Sequence, residues 1–439
     1  MKSATPSLLP ATEASTTRKV RAHLLPLLFV LYIVAFLDRI NIGFAALTMN
    51  RELAITSQQF GLVVGIFFFG YFLLEVPSNL LLHRLGARVW LARILVTWGV
   101  VAALTGFVHT AAQLYIARFL LGLAEAGFFP GLLLYLSYWF RQREQARAIA
   151  LCILAQPVTN ILGAPISGLI LDHVHWLGLS SWRWLLILEG LPAIVGGVVA
   201  YALLPSRPRD AKFLTTAELD WLTAELAREA QHKPGREFSP STTLIHPRVW
   251  HLALVGFTQA IGAYTLVFWM PQQVKALSQR FSNTTIGLLV MIPYLAGLLA
   301  MIVVARNSDR TLERKFHTAI PLSVAAVALL LLSRVHSAFG SIALLSMAAA
   351  GVYGFFGPYF SLPGQFLSGA SAASGIALIT SVANLGGFVG PFAVGFISRR
   401  TGNLHAGVAL AGLSLLVSSA LISVLPARSE RSPKTGTGT

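Results

Sequence analysis

The sequence predicts an all-α integral membrane protein whose twelve transmembrane helices form two six-helix bundles. Three observations indicate this class: the scarcity of charge, the recurrence of apolar runs about 20 residues long, and the uneven placement of lysine and arginine. Charged residues make up 11% of the 439 residues, whereas hydrophobic residues make up 55%. Soluble domains carry about 25% charged residues, so this chain cannot hide its apolar surface from water by folding alone.

Twelve apolar runs are long enough to cross about 30 Å of hydrocarbon as helices. They occupy approximately residues 25–48, 57–82, 89–109, 113–138, 148–171, 183–204, 249–270, 285–305, 317–333, 338–361, 373–397 and 404–425. A polar interval separates the sixth run from the seventh. The predicted divisions are an N-terminal tail (1–22), an N-terminal six-helix bundle (23–204), a central loop (205–247), a C-terminal six-helix bundle (248–426) and a C-terminal tail (427–439).

The basic residues indicate the orientation of the chain. A net charge of +16 is compatible with nucleic-acid binding, but 24 of the 33 lysines and arginines lie on the side of the membrane that holds both termini. The positive-inside rule then places the termini and the central loop in the cytoplasm, and no nucleic-acid partner is expected. Because no cleavage site follows the first apolar run, we predict an uncleaved helix of a multi-pass protein in the cell (inner) membrane.

A loop is repeated at the same position in each half, as "NLLLHRLGAR" (79–88) and "ARNSDRTLER" (305–314). The second copy contains an acid, Asp309, where the first has His83. Charge-assisted hydrogen bonds between an acid and arginines can join helix ends and must break when that face opens. The loops therefore predict a cytoplasmic gate, although the arginines could also serve only to fix topology. The candidate gate residues are Arg84, Arg88, Asp309, Arg310 and Arg314.

Four charged residues lie within the first and fourth predicted spans. An ionised side chain in mid-membrane costs about 2.5–3.5 kcal/mol, so it requires a partner or a function. Arg118 and Glu125 in "ARFLLGLAEAGFFPG" are seven residues apart and share one helical face. Asp38 and Arg39 form a second pair. Two guanidinium groups suit two-point capture of carboxylates, and two buried acids suit proton uptake. The alternative is permanent pairing of the four groups.

Polar uncharged residues within other spans are further candidates. Gln156 in the fifth span and Asn384 in the eleventh must find hydrogen-bond partners, either in a ligand or in a neighbouring helix. Glu75 lies toward the cytoplasmic end of the second span, where it could contact loop arginines or a substrate. The sequence alone leaves these alternatives open.

Other motifs favour structural interpretations. Arg183 and Glu189 lie near the outer end of the sixth span, where snorkelling toward the interface accounts for their charge. The sequence "DHVH" (172–175) has no further metal ligands nearby, and Cys152 is the single cysteine. We therefore predict no metal, disulfide or cofactor.

The central loop contains "FLTTAELDWLTAELAREA". Thr215 and Glu218 have the spacing of a capping box, and Leu219, Leu222 and Leu226 form one apolar stripe. This pattern predicts a short amphipathic helix on the cytoplasmic surface that tethers the two halves.

Five segments in this order resemble the anion:cation symporter family of the major facilitator superfamily. They are "FLDRINIGFA", "GYFLLEVPSNLLLHRLGAR", "ARFLLGLAEAGFFPG", "SWRWLLILEG" and "ANLGGFVGP". The family includes bacterial permeases for tartrate, phthalate, galactonate and hexuronates. The resemblance implies the major facilitator fold and a rocker-switch carrier that imports a small organic anion together with protons. We expect a monomer that is not an enzyme.

The resemblance also implies roles for individual residues. Asp38 and Glu125 match the proton-coupling acids, and Arg39 and Arg118 match the groups that hold the anion. Tyr71, Gln156 and Asn384 are similar to cavity-lining positions of galactonate-type members. The segment "YFSLPGQFLSG" (359–369) departs from the family pattern, which makes Gln365 a candidate specificity residue.

Two other functions remain open. The segment "LGAPISG" partly resembles the antiporter motif of efflux carriers, which would indicate export of an organic acid by proton antiport. A membrane sensor or enzyme on the same scaffold fits the sequence less well, because no soluble output domain or interfacial cluster of catalytic groups is visible.

Import of an anion into an inside-negative cell costs about 2.3 kcal/mol per 100 mV, so protons carried with it would offset that cost.

Overall fold

Helices make up the regular structure of the chain. The computed structural model describes residues 8–231, 240–335, 337–367 and 369–425, and within these ranges no residue belongs to a strand. Twelve helical segments of this described part are long and apolar enough to cross a membrane. The all-helical, twelve-span class predicted from the sequence is confirmed. The predicted tail 427–439 lies outside the described residues.

Several spans are divided into two consecutive helices. The helices are α1 (Leu8–Glu52), α2 (Ser57–Leu85), α3 (Ala87–Thr105), α4 (Ala111–Glu125), α5 (Phe128–Ser137), α6 (Gln142–Ile153), α7 (Ala155–His173), α8 (Ser181–Leu203), α9 (Thr216–Gln231), α10 (Pro240–Leu244), α11 (Pro247–Leu277), α12 (Asn283–Thr311), α13 (Lys315–Leu331), α14 (Ala338–Gly354), α15 (Phe356–Ser361), α16 (Gly369–Thr401) and α17 (Leu404–Ser423). Helices α4 and α5 together form the fourth span, α6 and α7 the fifth, and α14 and α15 the tenth.

Helix α1 begins well before the membrane. The sequence predicts a polar tail over residues 1–22, but in the structure the first span continues as helix back to Leu8. This extension is held by α9, because Glu218 accepts hydrogen bonds from Ser15 at 2.7 Å and from Lys19 at 2.8 Å. Glu218 also accepts from the backbone N–H of Thr215 at 2.9 Å, as in a capping box. Helix α9 of the central loop thus stabilises the N-terminal extension of α1.

The two halves pack tightly at one end of the molecule. An even number of spans puts both chain ends on one side, which we call the terminal face; the opposite side is the distal face. Across the halves, α7 packs on α12, α2 on α16 and α1 on α11. A Cβ atom at Gly168 would lie 2.4 Å from the carbonyl oxygen of Asn283, and one at Gly61 would lie 2.4 Å from that of Pro391. Glycine therefore permits the close backbone contacts that close the distal face.

Candidate functional site

A small cavity lies between the two halves, in the middle of the spans and toward the terminal face. Its polar lining residues are Tyr32, Arg39, Tyr71, Glu75, Glu125, Gln156, Gln259, Tyr264, Tyr353, Thr380 and Asn384. The volume is about 120 Å³. Pockets for drug-sized ligands measure about 300–1,000 Å³, so this cavity suits a small solute.

A break in the fourth span positions Glu125. Helix α4 ends at Glu125, and Ala126 is not helical, with φ −53° and ψ 131°. Gly127 then adopts a left-handed conformation with φ 86°, and α5 begins at Phe128. Glycine is required at this position for two reasons: L-residues rarely adopt this φ, and a Cβ would lie 2.3 Å from the Ser78 hydroxyl. The break accounts for the glycine of the "AEAGFF" motif.

Arg39 and Glu125 form an ion pair within the cavity. Arg39 also donates a long hydrogen bond of 3.5 Å to the Tyr264 hydroxyl, across the interface between the halves. Its guanidinium carbon lies 5.5 Å from the centre of the Tyr71 ring and 5.3 Å from that of Phe67. Arg39 is the single cation among the described residues that line the cavity. Any anion that binds there must therefore compete with the Glu125 carboxylate.

The remaining polar groups line the cavity from both halves. Gln156 donates to the Tyr32 hydroxyl at 2.9 Å. Glu75 accepts a hydrogen bond from Ser381 at 3.0 Å and has Asn384 as a second hydrogen-bonding neighbour. Since Ser381 and Asn384 belong to α16, Glu75 joins the second span to the eleventh. The structure thus brings together Arg39, Glu125, Tyr71, Gln156 and Asn384, and it places Glu75, for which the sequence left two alternatives, in the same lining.

Asp38 does not share the cavity that Arg39 lines. It is 1% exposed and accepts hydrogen bonds from Trp98 at 2.5 Å and from Asn41 at 3.4 Å. Successive residues of an α-helix point about 100° apart, so adjacent residues cannot both face one small cavity. Asp38 instead lies in the interior of the N-terminal half.

Arg118 also lies behind the cavity. It is 1% exposed, and its guanidinium carbon is 5.0 Å from the centre of the Phe67 ring, which Arg39 also contacts. Its Nε and Nη2 atoms have no hydrogen-bond partner among the described residues. Glu125 and Asp38 are its anionic neighbours. Arg118 therefore contributes positive charge to the site without lining it in this conformation.

Gln365 lies away from the cavity. It is exposed in the 3-10 turn Pro363–Gln365, which ends the tenth span at the terminal face. The expectation that it contacts a substrate therefore requires correction, because the tenth span lines the cavity with residues 352–360 and continues past it.

The candidate gate residues make contacts within their own halves. Asp309 pairs with Arg314 at 2.7 Å, although the Asp309 side chain is 72% exposed. Arg88 donates to the carbonyl of Tyr201. Arg84 and Arg310 are exposed, and neither forms an ion pair with another described residue. The side chain of His83 lies outside the described part of the chain. Exposed ion pairs stabilise proteins by only about 0–1 kcal/mol, so the pair of Asp309 and Arg314 contributes little to stability.

Arg183 and Glu189 require a second correction, because both side chains are buried among packed helices. Arg183 is 5% exposed; it donates to the carbonyls of Gly106 and Val108 at 3.0 and 2.6 Å and pairs with Glu52 at 3.1 Å. Glu189 is 3% exposed and accepts from Ser167 at 2.7 Å. Helix packing encloses both, so snorkelling does not account for them.

Three cavity residues of the C-terminal half carry little sequence signal. They are Gln259, Tyr264 and Tyr353. Gln259, Ala263 and Val267 recur at intervals of four, so they lie on one face of α11 that lines the cavity. A single glutamine within an apolar span could have been predicted to line the cavity, because it needs a polar partner there. A tyrosine is common in such spans and gives no such indication.

Twelve spans around a central cavity with a buried ion pair define the class of the protein: it is a multi-pass membrane transporter rather than an enzyme. The profile of the Major Facilitator Superfamily matches residues 28–391, and the chain belongs to that superfamily. This confirms the superfamily predicted from the motifs. The relatives below are also consistent with permeases of the anion:cation symporter type.

Two relatives and one solved structure illustrate the match. A protein of Agrobacterium vitis, provisionally named a tartrate transporter, is 43% identical over 425 residues, which cover 97% of this chain and 94% of that protein. The quinolone resistance transporter of Acinetobacter baumannii is 37% identical over 420 residues, covering 95% and 96%. The xylose transporter XylE of E. coli has the same fold, with a TM-score of 0.73, 14% identity, and coverage of 93% of this chain and 99% of that chain.

Proposed function

We propose that the protein is a secondary active transporter that imports a small organic anion together with protons by alternating access. The provisional name of the Agrobacterium vitis relative supports a hydroxy-dicarboxylate such as tartrate as one candidate cargo. The small cavity volume of about 120 Å³ supports a cargo of that size. A sugar acid or a small aromatic acid remains within the same class.

The ion pair between Arg39 and Glu125 is the observation on which this proposal depends. Both groups line the cavity, and Arg39 forms an ion pair with Glu125 there. A guanidinium binds a carboxylate through two parallel hydrogen bonds, so the cargo and Glu125 compete for the same donors. Protonation of Glu125 neutralises the competitor and frees Arg39. Anion binding and proton binding are thereby coupled at one pair of side chains.

The surrounding groups complete the binding site. Tyr71, Gln156 and Asn384 offer hydrogen bonds to hydroxyl or carboxyl groups of the cargo. Arg118 contributes positive charge from behind the cavity, and Asp38 is the proposed second proton acceptor. Two protons carried with a monoanion such as galactonate would make import electrogenic, so the membrane potential as well as the pH gradient would drive it; with a dianion such as tartrate, import would be electroneutral and driven by the pH gradient alone.

We further propose that the terminal face is cytoplasmic and that the protein is a monomer in the inner membrane. The excess of lysine and arginine on the terminal face supports this orientation. In this orientation the loops that contain Arg84, Arg88, Asp309, Arg310 and Arg314 form contacts that change when the cytoplasmic face opens and closes. The distal face is then the periplasmic entrance.

The proposal is tested with purified protein in proteoliposomes. Labelled tartrate, galactonate and phthalate are offered outside vesicles whose inside is alkaline and negative, and accumulation is followed over time. We expect one of these acids to be concentrated, and we expect Glu125→Gln to abolish concentrative uptake while retaining exchange of labelled for unlabelled cargo. Concentrative uptake by Glu125→Gln at the wild-type level would contradict the coupling role.

Export is the rival function, and the name of the Acinetobacter baumannii relative favours it for a different cargo. The same vesicles, preloaded with the labelled acid or with a fluoroquinolone and then acidified outside, distinguish the two directions. With the cargo at equal concentration inside and outside, net loss of cargo driven by the outside acid, without accumulation in the first assay, would indicate proton antiport instead of import.

A further inference from the structure

A larger cleft, separate from the transport cavity, opens at the terminal face between the extension of α1 and the start of α6. Its volume is about 1070 Å³, far larger than that of the transport cavity. Four arginines and two glutamates contribute charge to its lining. Arg141 pairs within the cleft with Glu13 at 2.9 Å and with Glu144 at 2.7 Å, and the net charge of the lining is +2. Three cations remain: Arg18, Arg21 and Arg147.

These three arginines form no ion pair with another described residue, although Arg21 contributes to the electrostatic field at Glu144. Arg18 and Arg147 are exposed, and Arg21 is partly exposed. Arg147 begins the fifth span, and Arg18 and Arg21 precede the apolar part of the first. Three guanidinium groups thus line one cleft beside the starts of two membrane spans.

The apolar wall of the cleft lies on the membrane side of the arginines. Leu25 and Phe29 follow Arg21 on α1 by about 6 and 12 Å of helical rise, and Leu151 follows Arg147 by about 6 Å. All three apolar side chains line the cleft, and Leu151 is 37% exposed. The cleft is therefore cationic at its mouth and apolar one to two turns deeper on both helices.

We propose that this cleft binds an anionic phospholipid, with the phosphate on Arg18, Arg21 and Arg147 and an acyl chain along Leu25, Phe29 and Leu151. Guanidinium groups bind phosphate through paired hydrogen bonds, and basic clefts between membrane helices suit lipid headgroups. A water-soluble anion would use the arginines but would gain nothing from the apolar wall. The order of charge and apolar surface along both helices therefore favours a lipid.

The test measures the thermal unfolding of the purified full-length protein in a neutral detergent. Short-chain phosphatidylglycerol, phosphatidylcholine with the same chains, and inorganic phosphate are titrated separately. We expect saturable stabilisation by phosphatidylglycerol alone. Each arginine near an anionic lipid contributes roughly fivefold in affinity, so Arg18→Gln/Arg21→Gln/Arg147→Gln should weaken apparent binding on the order of 100-fold.

A matched variant controls for loss of charge in general. Arg209→Gln/Lys212→Gln/Arg306→Gln removes three exposed cations of the terminal face outside the cleft and should bind phosphatidylglycerol as the wild type does. Unchanged binding of phosphatidylglycerol by Arg18→Gln/Arg21→Gln/Arg147→Gln would overturn the proposal. Stabilisation by inorganic phosphate as large as that by phosphatidylglycerol would also overturn it, because the ligand would then be a free anion. If the triple variant does not fold, Arg18→Gln/Arg21→Gln gives the same comparison with an expected loss of roughly 25-fold.

Discussion

Asp172, in the last turn of α7, binds the first turn of α12 across the interface between the two halves. Its Oδ2 accepts hydrogen bonds from the backbone N–H and the hydroxyl of Thr284, both at 2.7 Å. Its Oδ1 accepts from the backbone N–H of Asn283 at 3.1 Å and from the side-chain amide at 2.8 Å. The first-turn N–H groups of a helix lack intrahelical partners and carry partial positive charge, which favours a carboxylate there. Asp172 therefore stabilises closure of the distal face.

Removal of this carboxylate should favour the conformation that is open at the distal face. Hydrogen bonds to a charged group contribute about 1.5–3 kcal/mol each, so a net loss of about 2–3 kcal/mol in Asp172→Ala would shift the ratio of open to closed states by roughly 30- to 150-fold. Spin labels at Ala112→Cys and Arg280→Cys, in a Cys152→Ser background, report the distance between the halves at the distal face. We expect a population at longer distance in Asp172→Ala.

Thr284→Ala is the matched control for this experiment, because it removes one hydroxyl donor and leaves three hydrogen bonds to Asp172 intact. Its shift should be much smaller than that of Asp172→Ala. If both variants gave the wild-type distance distribution, the contact with α12 would not contribute to closure.

The two arginines of the site should differ in their effect on anion binding. Arg39 lines the cavity, whereas Arg118 lies behind it. An ammonium cannot provide two parallel hydrogen bonds, so Arg39→Lys should weaken binding of the cargo roughly 10- to 100-fold. Arg118→Lys keeps the positive charge and should weaken it less. Isothermal titration with the cargo found in the transport assay measures both; a larger loss in Arg118→Lys would assign the anion contact to Arg118.

The architecture could be predicted from the sequence because apolar runs and the distribution of positive charge are local signals. Arg39 and Glu125, on whose ion pair the proposed function depends, could each be selected as candidates because a charge within an apolar span is conspicuous. The direction in which each charge points could not be predicted. A shift of one residue along α1 separates Asp38 from Arg39 by about 100°, and that difference places one in the interior and the other in the cavity.

The cavity-lining residues of the C-terminal half could not be predicted from the sequence either. Tyr264 and Tyr353 line the cavity more than 200 residues after Tyr32 and Arg39, and no local pattern joins them. The helical extension of α1 depends on contacts of Ser15 and Lys19 with Glu218, which lie about 200 residues apart in sequence. Contacts between residues so far apart in sequence leave no periodic pattern, so they cannot be inferred from one sequence.

The break in the fourth span should tolerate no side chain at Gly127. Its φ of 86° costs an L-residue about 1–2 kcal/mol, and contact of the new Cβ with the Ser78 hydroxyl adds to that cost. Gly178 is the matched control, since it has φ 70° with no neighbouring atom within 4 Å of a built Cβ. Thermal unfolding in detergent should show that Gly127→Ala destabilises the protein by about 1–3 kcal/mol more than Gly178→Ala does. Equal losses would show that Ser78 adjusts without cost.

Glu189 should be neutral in the folded protein. It is 3% exposed, its Oε1 accepts from Ser167, and its Oε2 has no hydrogen-bond partner among the described residues. Asn41 lies beside it, and the Oδ1 atom of Asn41 also lacks a partner within the described structure. A proton on Glu189 would turn Oε2 into a donor and remove a buried charge for which no cationic partner is present among the described neighbours, whereas a buried carboxylate without such a partner would be strongly destabilising.

Glutamine is the neutral isostere of a protonated glutamate, so Glu189→Gln should keep the acceptor for Ser167 and provide an N–H donor in place of the proton. Its stability should lie within about 1 kcal/mol of the wild type. Glu189→Ala removes the acceptor and leaves a cavity, which should cost about 2–4 kcal/mol. Thermal unfolding of the three proteins at neutral pH measures these differences. Equal destabilisation by both substitutions would mean that the buried group carries a negative charge that the amide cannot replace.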